Sequence, residues 1–258
     1  MPYQKVNRDT IHFSASPTQK RGPTLLAVHG SGGDHRHWPD DYRNWAAVPA
    51  IAVDMPGHGR SAGKGFQNVD DYADFIESFV TAASFEKVVL IGHSMGGAIA
   101  QTLALRSPGW LSGCVLIGTG ARLKVSPDII NALVQDYKAA VDLLADWFFS
   151  TGADPALIGL FKNGLHNTEP ETVIDDLSAC NQFDIMREVS QIKVPTLVVC
   201  GSDDRLTPVK YGEYLAQRIP GATLRIIEKA GHMMALEKPQ EFMSILEDFL
   251  RSKYGMDG

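Results

Sequence analysis

Short, continuous runs of apolar residues recur along the chain between segments with helical periodicity. Five of these runs are rich in Val, Ile, Leu and Ala, and they cover 25–28, 50–53, 88–91, 114–117 and 197–200. Runs of this length are typical of strands buried on both faces, as in a parallel sheet. A later run at 223–227 carries Arg225 at its centre, so we expect a strand nearer the sheet edge. Residues 3–7 and 10–15 are expected to form a hairpin.

The segments between the runs follow the spacing of amphipathic helices. Within 69–83, apolar residues recur at positions i, i+3, i+4 and i+7, which is the spacing of one buried helical face. Asn68 is a suitable N-cap for this helix, because its side chain can accept a hydrogen bond from the first turn. Pro239 suits the first turn of a helix near the C-terminus. This alternation of strands and helices predicts a doubly wound, mostly parallel α/β sheet.

One interval interrupts the alternation. No strand-like run occurs between 117 and 196, whereas helical patterns do occur there, at 129–149, 156–162 and 171–180. We therefore expect residues 121–193 to form a helical cap inserted into a core domain made of residues 1–120 and 194–258. Asp and Glu outnumber Lys and Arg by 11 to 6 in the cap, which gives −5 of the chain's net charge of −6.

Composition and charge exclude several classes of protein. Of 258 residues, 44% are hydrophobic and 21% are charged, which is ordinary for a globular protein. The apolar runs are far shorter than the ~20 residues needed to span a bilayer, so we expect no membrane span. The N-terminal residues contain no apolar stretch of the kind found in secretory signals, which predicts a cytoplasmic protein. Because Lys and Arg do not cluster, a nucleic-acid partner is not expected.

A candidate nucleophile follows the run at 88–91. The residues from Gly92 to Gly97 read Gly-His-Ser-Met-Gly-Gly and lead into a helix-compatible segment. A serine hydroxyl is a poor nucleophile until a base removes its proton, and a tight strand-to-helix turn exposes the hydroxyl to that base. Glycines two residues before and two after Ser94 suit such a turn, since a Cβ there would collide with neighbouring backbone.

The segment from Gly92 to Gly97 resembles the nucleophile elbow of the α/β-hydrolase superfamily, specifically its capped, esterase-like branch. Further stretches fit the resemblance, so that it covers nearly the whole chain apart from the cap; they are 28–33, 54–61, 201–208 and 231–232. The resemblance implies an α/β-hydrolase fold and a cofactor-independent serine hydrolase. Its expected substrates are small, mainly neutral carboxylic esters, cleaved through an acyl-enzyme intermediate.

The resemblance also assigns the other catalytic residues. His232 matches the catalytic histidine, whose ordinary pKa of ~6.5 lets it accept and return a proton near neutrality. The family pattern G-x-x-D-x-x-x-P selects Asp204 as the acid that orients this histidine, although spacing alone does not separate Asp204 from Asp203. His93, inside the elbow, is expected to pack against its surroundings and not to act as the base.

Two further groups of residues are expected around the nucleophile. An oxyanion hole needs two backbone N–H groups, which the resemblance assigns to Met95 and Ser31. Aromatic side chains of the cap are expected to contact the substrate, namely Trp147, Phe148 and Phe161. Packing among the cap helices explains each of these aromatic residues equally well, because helical apolar stripes are mostly core.

The sequence offers no motif for a cofactor or a metal ion. It contains no Walker-type loop, dinucleotide fingerprint, H-E-x-x-H motif or EF-hand loop. Cys114, Cys180 and Cys200 lack metal-ligand spacing, so we expect buried free thiols.

Other functions are compatible with the same scaffold. A carbon–carbon bond hydrolase of the meta-cleavage-product type would use Arg122 or Arg187 to bind a carboxylate. Against this alternative, Met233 follows the active histidine where those enzymes usually carry Trp. A thioesterase, a perhydrolase and a small-molecule receptor with the hydrolase fold are further alternatives, because fold does not fix function.

Overall fold

A single mixed sheet organises the chain. The structure is a computed structural model that describes residues 2–18 and 22–255. Its strands are β1 (Tyr3–Val6), β2 (Asp9–Ala15), β3 (Thr24–Val28), β4 (Ala50–Val53), β5 (Val88–His93), β6 (Leu111–Ile117), β7 (Thr196–Gly201) and β8 (Thr223–Ile227). The strands lie in the order β1-β2-β4-β3-β5-β6-β7-β8. Strand β2 is antiparallel to β1 and β4, and the remaining neighbours are parallel. The predicted mostly parallel sheet is therefore confirmed.

The apolar runs became central strands because both faces of the sheet are covered. Every residue of β3, β4, β5 and β7 is buried. Leu26 and Leu90 pack into the core on one face, whereas Leu25 and Ile91 pack into the core on the other. Strand β8 is largely exposed and lies at the edge of the sheet, as its central arginine predicted.

Helices cover the sheet and form the connections. They are α1 (Asp40–Arg43), α2 (Val69–Ala82), α3 (Met95–Arg106), α4 (Pro127–Gln135), α5 (Tyr137–Phe148), α6 (Pro155–His166), α7 (Pro170–Gln182), α8 (Val209–Arg218), α9 (Met234–Glu237) and α10 (Pro239–Tyr254). The predicted start of α10 at Pro239 is confirmed, as is the N-terminal hairpin of β1 and β2. The three cysteines are buried free thiols. Within the described ranges, no helix is long and apolar enough to cross a membrane.

Four helices, α4 to α7, lie between β6 and β7, in the interval where the sequence predicted helices without strands. The prediction of one helix over 129–149 was wrong, because Asp136 interrupts it with an extended backbone (φ −149°, ψ 91°). The side chain of Asp136 accepts a hydrogen bond from the N–H of Ala139 at 3.1 Å and so caps α5. An aspartate is a strong N-cap, and its competition with the helical backbone explains the break.

The N-cap of α2 provides a direct test of local stability. Asn68 Oδ1 accepts a hydrogen bond from the N–H of Asp71 at 2.8 Å. We expect Asn68→Ala to lower the free energy of unfolding by about 1 kcal/mol, because the substitution leaves an N–H of the first turn without a partner. Asn68→Ser keeps a capping oxygen and should stay near wild type in urea denaturation. Equal stability of the Ala variant and wild type would contradict this role.

Candidate active site

Ser94 occupies a strained turn between β5 and α3. Its backbone has φ 55° and ψ −114°, a conformation that residues other than glycine rarely adopt. The N–H of Ser94 donates to the carbonyl of Ile117 at 2.9 Å, and the hydroxyl of Thr119 donates to the carbonyl of Ser94 at 2.8 Å. Strand β6 and the loop that follows it therefore hold the strained residue in place.

Gly92 and Gly96 must be glycines because neighbouring backbone atoms lie too close to leave room for a side chain. A Cβ at Gly92 would lie 2.1 Å from the carbonyl oxygen of Gly96. A Cβ at Gly96 would lie 2.1 Å from the carbonyl oxygen of Val28, on β3. Both distances are far below van der Waals contact, which explains why this turn needs glycine two residues before and two residues after the serine.

The structure brings His232 and Asp204 together from two different loops. His232 lies between β8 and α9, and Asp204 follows β7. The His232 Nδ1 atom lies 2.8 Å from Asp204 Oδ2, and both side chains are buried. Asp204 Oδ1 also accepts hydrogen bonds from the N–H groups of Leu206 and Thr207, at 2.8 and 2.9 Å. Asp203 is exposed and accepts from the hydroxyl of its neighbour Ser202 instead.

The environment of Asp204 keeps this carboxyl group ionised. Burial by itself would raise the pKa of Asp204, but the charge and hydrogen bond of His232 outweigh burial, helped by hydrogen bonds from Thr207. The net result is a pKa held well below the ordinary value. An ionised carboxylate only accepts hydrogen bonds, so His232 Nδ1 must be the donor, and in the neutral imidazole Nε2 is then free to accept a proton.

His93 supports the loop that carries His232. Its Nε2 atom lies 2.9 Å from the carbonyl oxygen of His232, and the centres of the two imidazole rings lie 4.6 Å apart. Burial lowers the pKa of His93 well below its ordinary value, with a further contribution from His232. The neutral His93 ring can therefore donate to this carbonyl, a contact across 139 residues that the sequence did not reveal.

Ser94 and His232 line the same cavity, together with Ser31. Its remaining walls are largely apolar and come mainly from α4 to α7; they include Leu133, Leu144, Phe148, Phe161 and Leu177. The Phe148 ring lies 5.4 Å from the His232 ring and 4.7 Å from the Phe161 ring. In the described ranges the Ser94 hydroxyl makes no hydrogen bond to His232, and such bonds in free enzymes are often long.

Trp147 lies apart from this cavity. Its side chain is 51% exposed and does not belong to the lining residues. The guanidinium of Arg205 lies 5.7 Å from the centre of its ring, which is a cation–π contact at the surface. This placement argues against the predicted substrate contact at Trp147, because its neighbour Phe148 on α5 lines the cavity whereas Trp147 does not.

The loop after β3 lies directly against Ser94. A Cβ at Gly30 would lie 3.0 Å from the Cβ of Ser94, and the Ser31 hydroxyl lies 3.9 Å from the sulfur of Met95. Among the residues that the structure describes, no acceptor takes a hydrogen bond from the N–H of Ser31 or of Met95. Both amides are therefore available to an oxygen atom bound beside Ser94.

One cluster outside the cavity has the residue types of a metal site. The potential donor atoms of His12, His35 and Asp54 all lie within 4.8 Å of one another, and the three residues are buried. However, Asp54 already accepts from both imidazoles at 2.8 Å, and from the N–H groups of His35 and Arg60 at 2.7 and 3.0 Å. Four hydrogen bonds satisfy a carboxylate, so the cluster is explained without an ion.

A mostly parallel sheet with a serine on a strained turn between a central strand and a helix is the architecture of α/β hydrolases. Residues 25–245 match the sequence profile of the Alpha/beta hydrolase family. The chain therefore belongs to the α/β hydrolase family.

Individual relatives are similar over most of the chain. Pimeloyl-acyl-carrier-protein methyl ester esterase of Neisseria meningitidis serogroup B is 28% identical, with 88% of this chain and 92% of that protein covered. The structure of a thermophilic esterase is 34% identical, with a TM-score of 0.86 and 98% of each chain covered. An N-acyl homoserine lactone degrading enzyme is 26% identical, with a TM-score of 0.83, covering 96% of this chain and 100% of that chain.

The steric requirement at Gly96 can be tested against a glycine in open space. We expect Gly96→Ala to lower the free energy of unfolding by about 1–3 kcal/mol or more, because the new methyl group meets the backbone of β3. Gly109→Ala is the matched control, since nothing lies within 4 Å of a Cβ there. Chemical denaturation of both variants gives the comparison. Equal stability of the two variants would show that the close approach at Gly96 is not limiting.

Proposed function

We propose that this chain is a serine hydrolase that cleaves carboxylic esters of small, mainly neutral and apolar compounds through an acyl-enzyme. The observation that carries the proposal is that His232, which is hydrogen-bonded to Asp204, lines one largely apolar cavity together with Ser94. The names of the relatives agree with this chemistry, because they include two esterases and an enzyme that degrades a lactone, which is a cyclic ester.

The first half of the reaction transfers the acyl group to the enzyme. Ser94 Oγ attacks the ester carbonyl carbon while His232 Nε2 takes the hydroxyl proton. Asp204 stabilises the imidazolium that forms, because its carboxylate stays ionised beside Nδ1. The N–H groups of Ser31 and Met95 donate to the oxygen that becomes negatively charged. The intermediate then collapses, the bond to the alcohol oxygen breaks, and His232 returns its proton to the departing alcohol.

The second half releases the acid. A water molecule attacks the acyl carbon, and His232 Nε2 accepts the proton that the water loses. The second tetrahedral oxyanion uses the same two N–H donors. Its collapse breaks the bond to Ser94 Oγ, which recovers its proton from His232, so that the enzyme is regenerated.

Residues 121–193 are proposed to act as a cap over a core domain of residues 1–120 and 194–258. Helices α4 to α7 supply most of the apolar cavity wall, which supports this role. Residues 121–193 also make hydrogen bonds to the segments next to Asp204 and His232, the proposed catalytic pair. Arg205 donates to the carbonyl of Phe149 at 3.5 Å, and the Glu237 carboxylate accepts from the N–H groups of Ser150 and Gly231 at 3.0 and 2.9 Å.

The charges around the cavity favour esters over the carbon–carbon bond alternative. That alternative needs an arginine for the substrate carboxylate, but neither Arg122 nor Arg187 belongs to the lining residues. Arg122 is instead half exposed and lies 3.9 Å from the carboxylate of Asp184. Among the described lining residues, Lys124 is the only basic side chain of the Lys or Arg type. Its ammonium group donates a hydrogen bond to the carbonyl of Asn181 at 2.9 Å.

The catalytic roles are tested by removing the nucleophile and the base. We expect Ser94→Ala and His232→Ala each to lower kcat for p-nitrophenyl butyrate by at least about 1000-fold, because both groups act in the same step. His166→Ala is the control, since that histidine pairs with Asp142 at the surface of the helical segment. Turnover by Ser94→Ala at the wild-type rate would refute the proposal. Stoichiometric release of p-nitrophenol without turnover would identify a binding protein instead.

The polarity of the cavity is tested by two substrates with one leaving group. We expect kcat/KM for p-nitrophenyl hemisuccinate to be at least about tenfold lower than for p-nitrophenyl butyrate, because the apolar walls cannot solvate the free carboxylate of the succinyl group. Both acyl groups have four carbons, so the length of the carbon chain does not contribute to the difference. Equal kcat/KM values for the two esters would contradict the preference for neutral, apolar acyl groups.

A further inference from the structure

Asp176 on α7 is a buried carboxylate that has no part in the reaction steps above. It is 0% exposed, and it accepts hydrogen bonds from three separate parts of the sheet domain. The N–H of Gly32, in the loop after β3, donates to Oδ2 at 2.7 Å. His58 Nε2, from the loop after β4, donates to the same oxygen at 2.8 Å. The hydroxyl of Tyr72, on α2, donates to Oδ1.

The partners of Asp176 all present donors to its carboxylate. A buried carboxylate is strongly destabilising unless it is paired and hydrogen-bonded. Burial lowers the pKa of His58, but the neighbouring Asp176 outweighs burial, so the pKa is raised and the imidazolium is favoured. The His58 Nδ1 atom lies 3.0 Å from the carbonyl of Pro56, which fixes the ring from its other side. Burial, together with Asp176, raises the pKa of Tyr72, so its hydroxyl remains a donor.

The loop after β3 also packs against α7, the helix that carries Asp176. Gly32 has φ 66°, and a Cβ there would lie 2.4 Å from a side-chain carbon of Leu165 and 3.2 Å from one of Val173. Val173 lies three residues before Asp176 on α7, so both contact the loop from one helical face. The position of the Gly32 backbone is therefore set by contacts with α6 and α7.

We propose that Asp176 is a positioning residue for the oxyanion hole, because its carboxylate holds the Gly32 N–H and thereby sets the direction of the adjacent Ser31 N–H. This inference rests on the proposed function of Ser31. A hydrogen bond to a charged acceptor is roughly twice as strong as a neutral one, which suits a contact that must fix a loop. The helical segment then contributes to catalysis itself, in addition to covering the cavity.

The effect should be specific to the transition state. Oxyanion donors act only when they lie at hydrogen-bond distance from the developing charge, whereas substrate binding depends mainly on the apolar walls. We expect Asp176→Ala to lower kcat for p-nitrophenyl butyrate by about 10- to 100-fold with KM changed less than about threefold. Ser94 Oγ adds to the carbonyl of a trifluoromethyl ketone and forms a stable oxyanion. The affinity for this inhibitor should therefore fall by the same factor as kcat.

A conservative variant covers the case in which Asp176→Ala does not fold. Asp176→Asn keeps the shape and one acceptor oxygen, and we expect it to lie between Asp176→Ala and wild type, with at least about a fivefold loss in kcat and in inhibitor affinity. The loss arises because a neutral acceptor holds the Gly32 N–H less strongly. Values of kcat and inhibitor affinity within twofold of wild type, in whichever of these variants folds, would overturn the inference.

Two comparison variants separate positioning from general stability. Asp175→Asn removes the same charge from the neighbouring position of α7, where the carboxylate accepts only from the exposed Gln67 side chain among the described residues, and it should match wild type. Tyr72→Phe removes a hydrogen bond to Asp176 without touching Gly32, so it should lower the unfolding temperature but leave kcat within twofold. A parallel loss of kcat in Tyr72→Phe would assign Asp176 a purely structural role.

The same assays distinguish failure of this inference from failure of the proposed function. If wild type hydrolyses the ester and Ser94→Ala does not, the catalytic proposal stands and the Asp176 variants decide the inference alone. If Ser94→Ala retains the wild-type rate, the proposed function fails, and the inference about its oxyanion hole fails with it.

Discussion

A buried hydrogen bond between Asp204 and His232 is the interaction on which the proposed chemistry depends. An ionised carboxylate fixes one nitrogen of the imidazole as a donor, so the other nitrogen becomes the proton acceptor. The carboxylate stays ionised despite burial because His232 and the Thr207 hydroxyl and N–H group surround it. In the proposed mechanism, this arrangement distinguishes Ser94 from an ordinary serine on a strained turn.

The sheet brings these side chains together because parallel strands end at one edge. Ser94 follows β5, Asp204 follows β7 and His232 follows β8, while the loop with Ser31 follows β3. Sites in open α/β sheets generally form outside the carboxyl ends of the strands. The buried sheet supplies the rigidity that the strained backbone of Ser94 requires, since loops alone do not hold such a conformation. Helices α4 to α7 then close the site with apolar side chains.

Local patterns revealed the elements and the resemblance to a known family supplied the triad candidates, but neither revealed the contacts between distant loops. The central strands were predictable because burial on both faces demands continuous apolar runs, and Asn68 was predictable because capping is local. The break at Asp136 was missed, although an aspartate inside a helical pattern is a recognisable N-cap. Asp176 is recognisable in the sequence as a charged residue on the buried face of α7. Its partner Gly32, however, lies 144 residues away. The pairing depends on tertiary structure, so no sequence periodicity encodes it.

The central claim is that Ser94 carries the acyl group during turnover. Intact-protein mass spectrometry after rapid acid quenching of the reaction with p-nitrophenyl butyrate tests this claim directly. The account predicts a mass increase of one butyryl group, mapped by peptide digestion to Ser94 and absent from the Ser94→Ala variant. An acyl group on another residue, or full turnover by the Ser94→Ala variant, would contradict it.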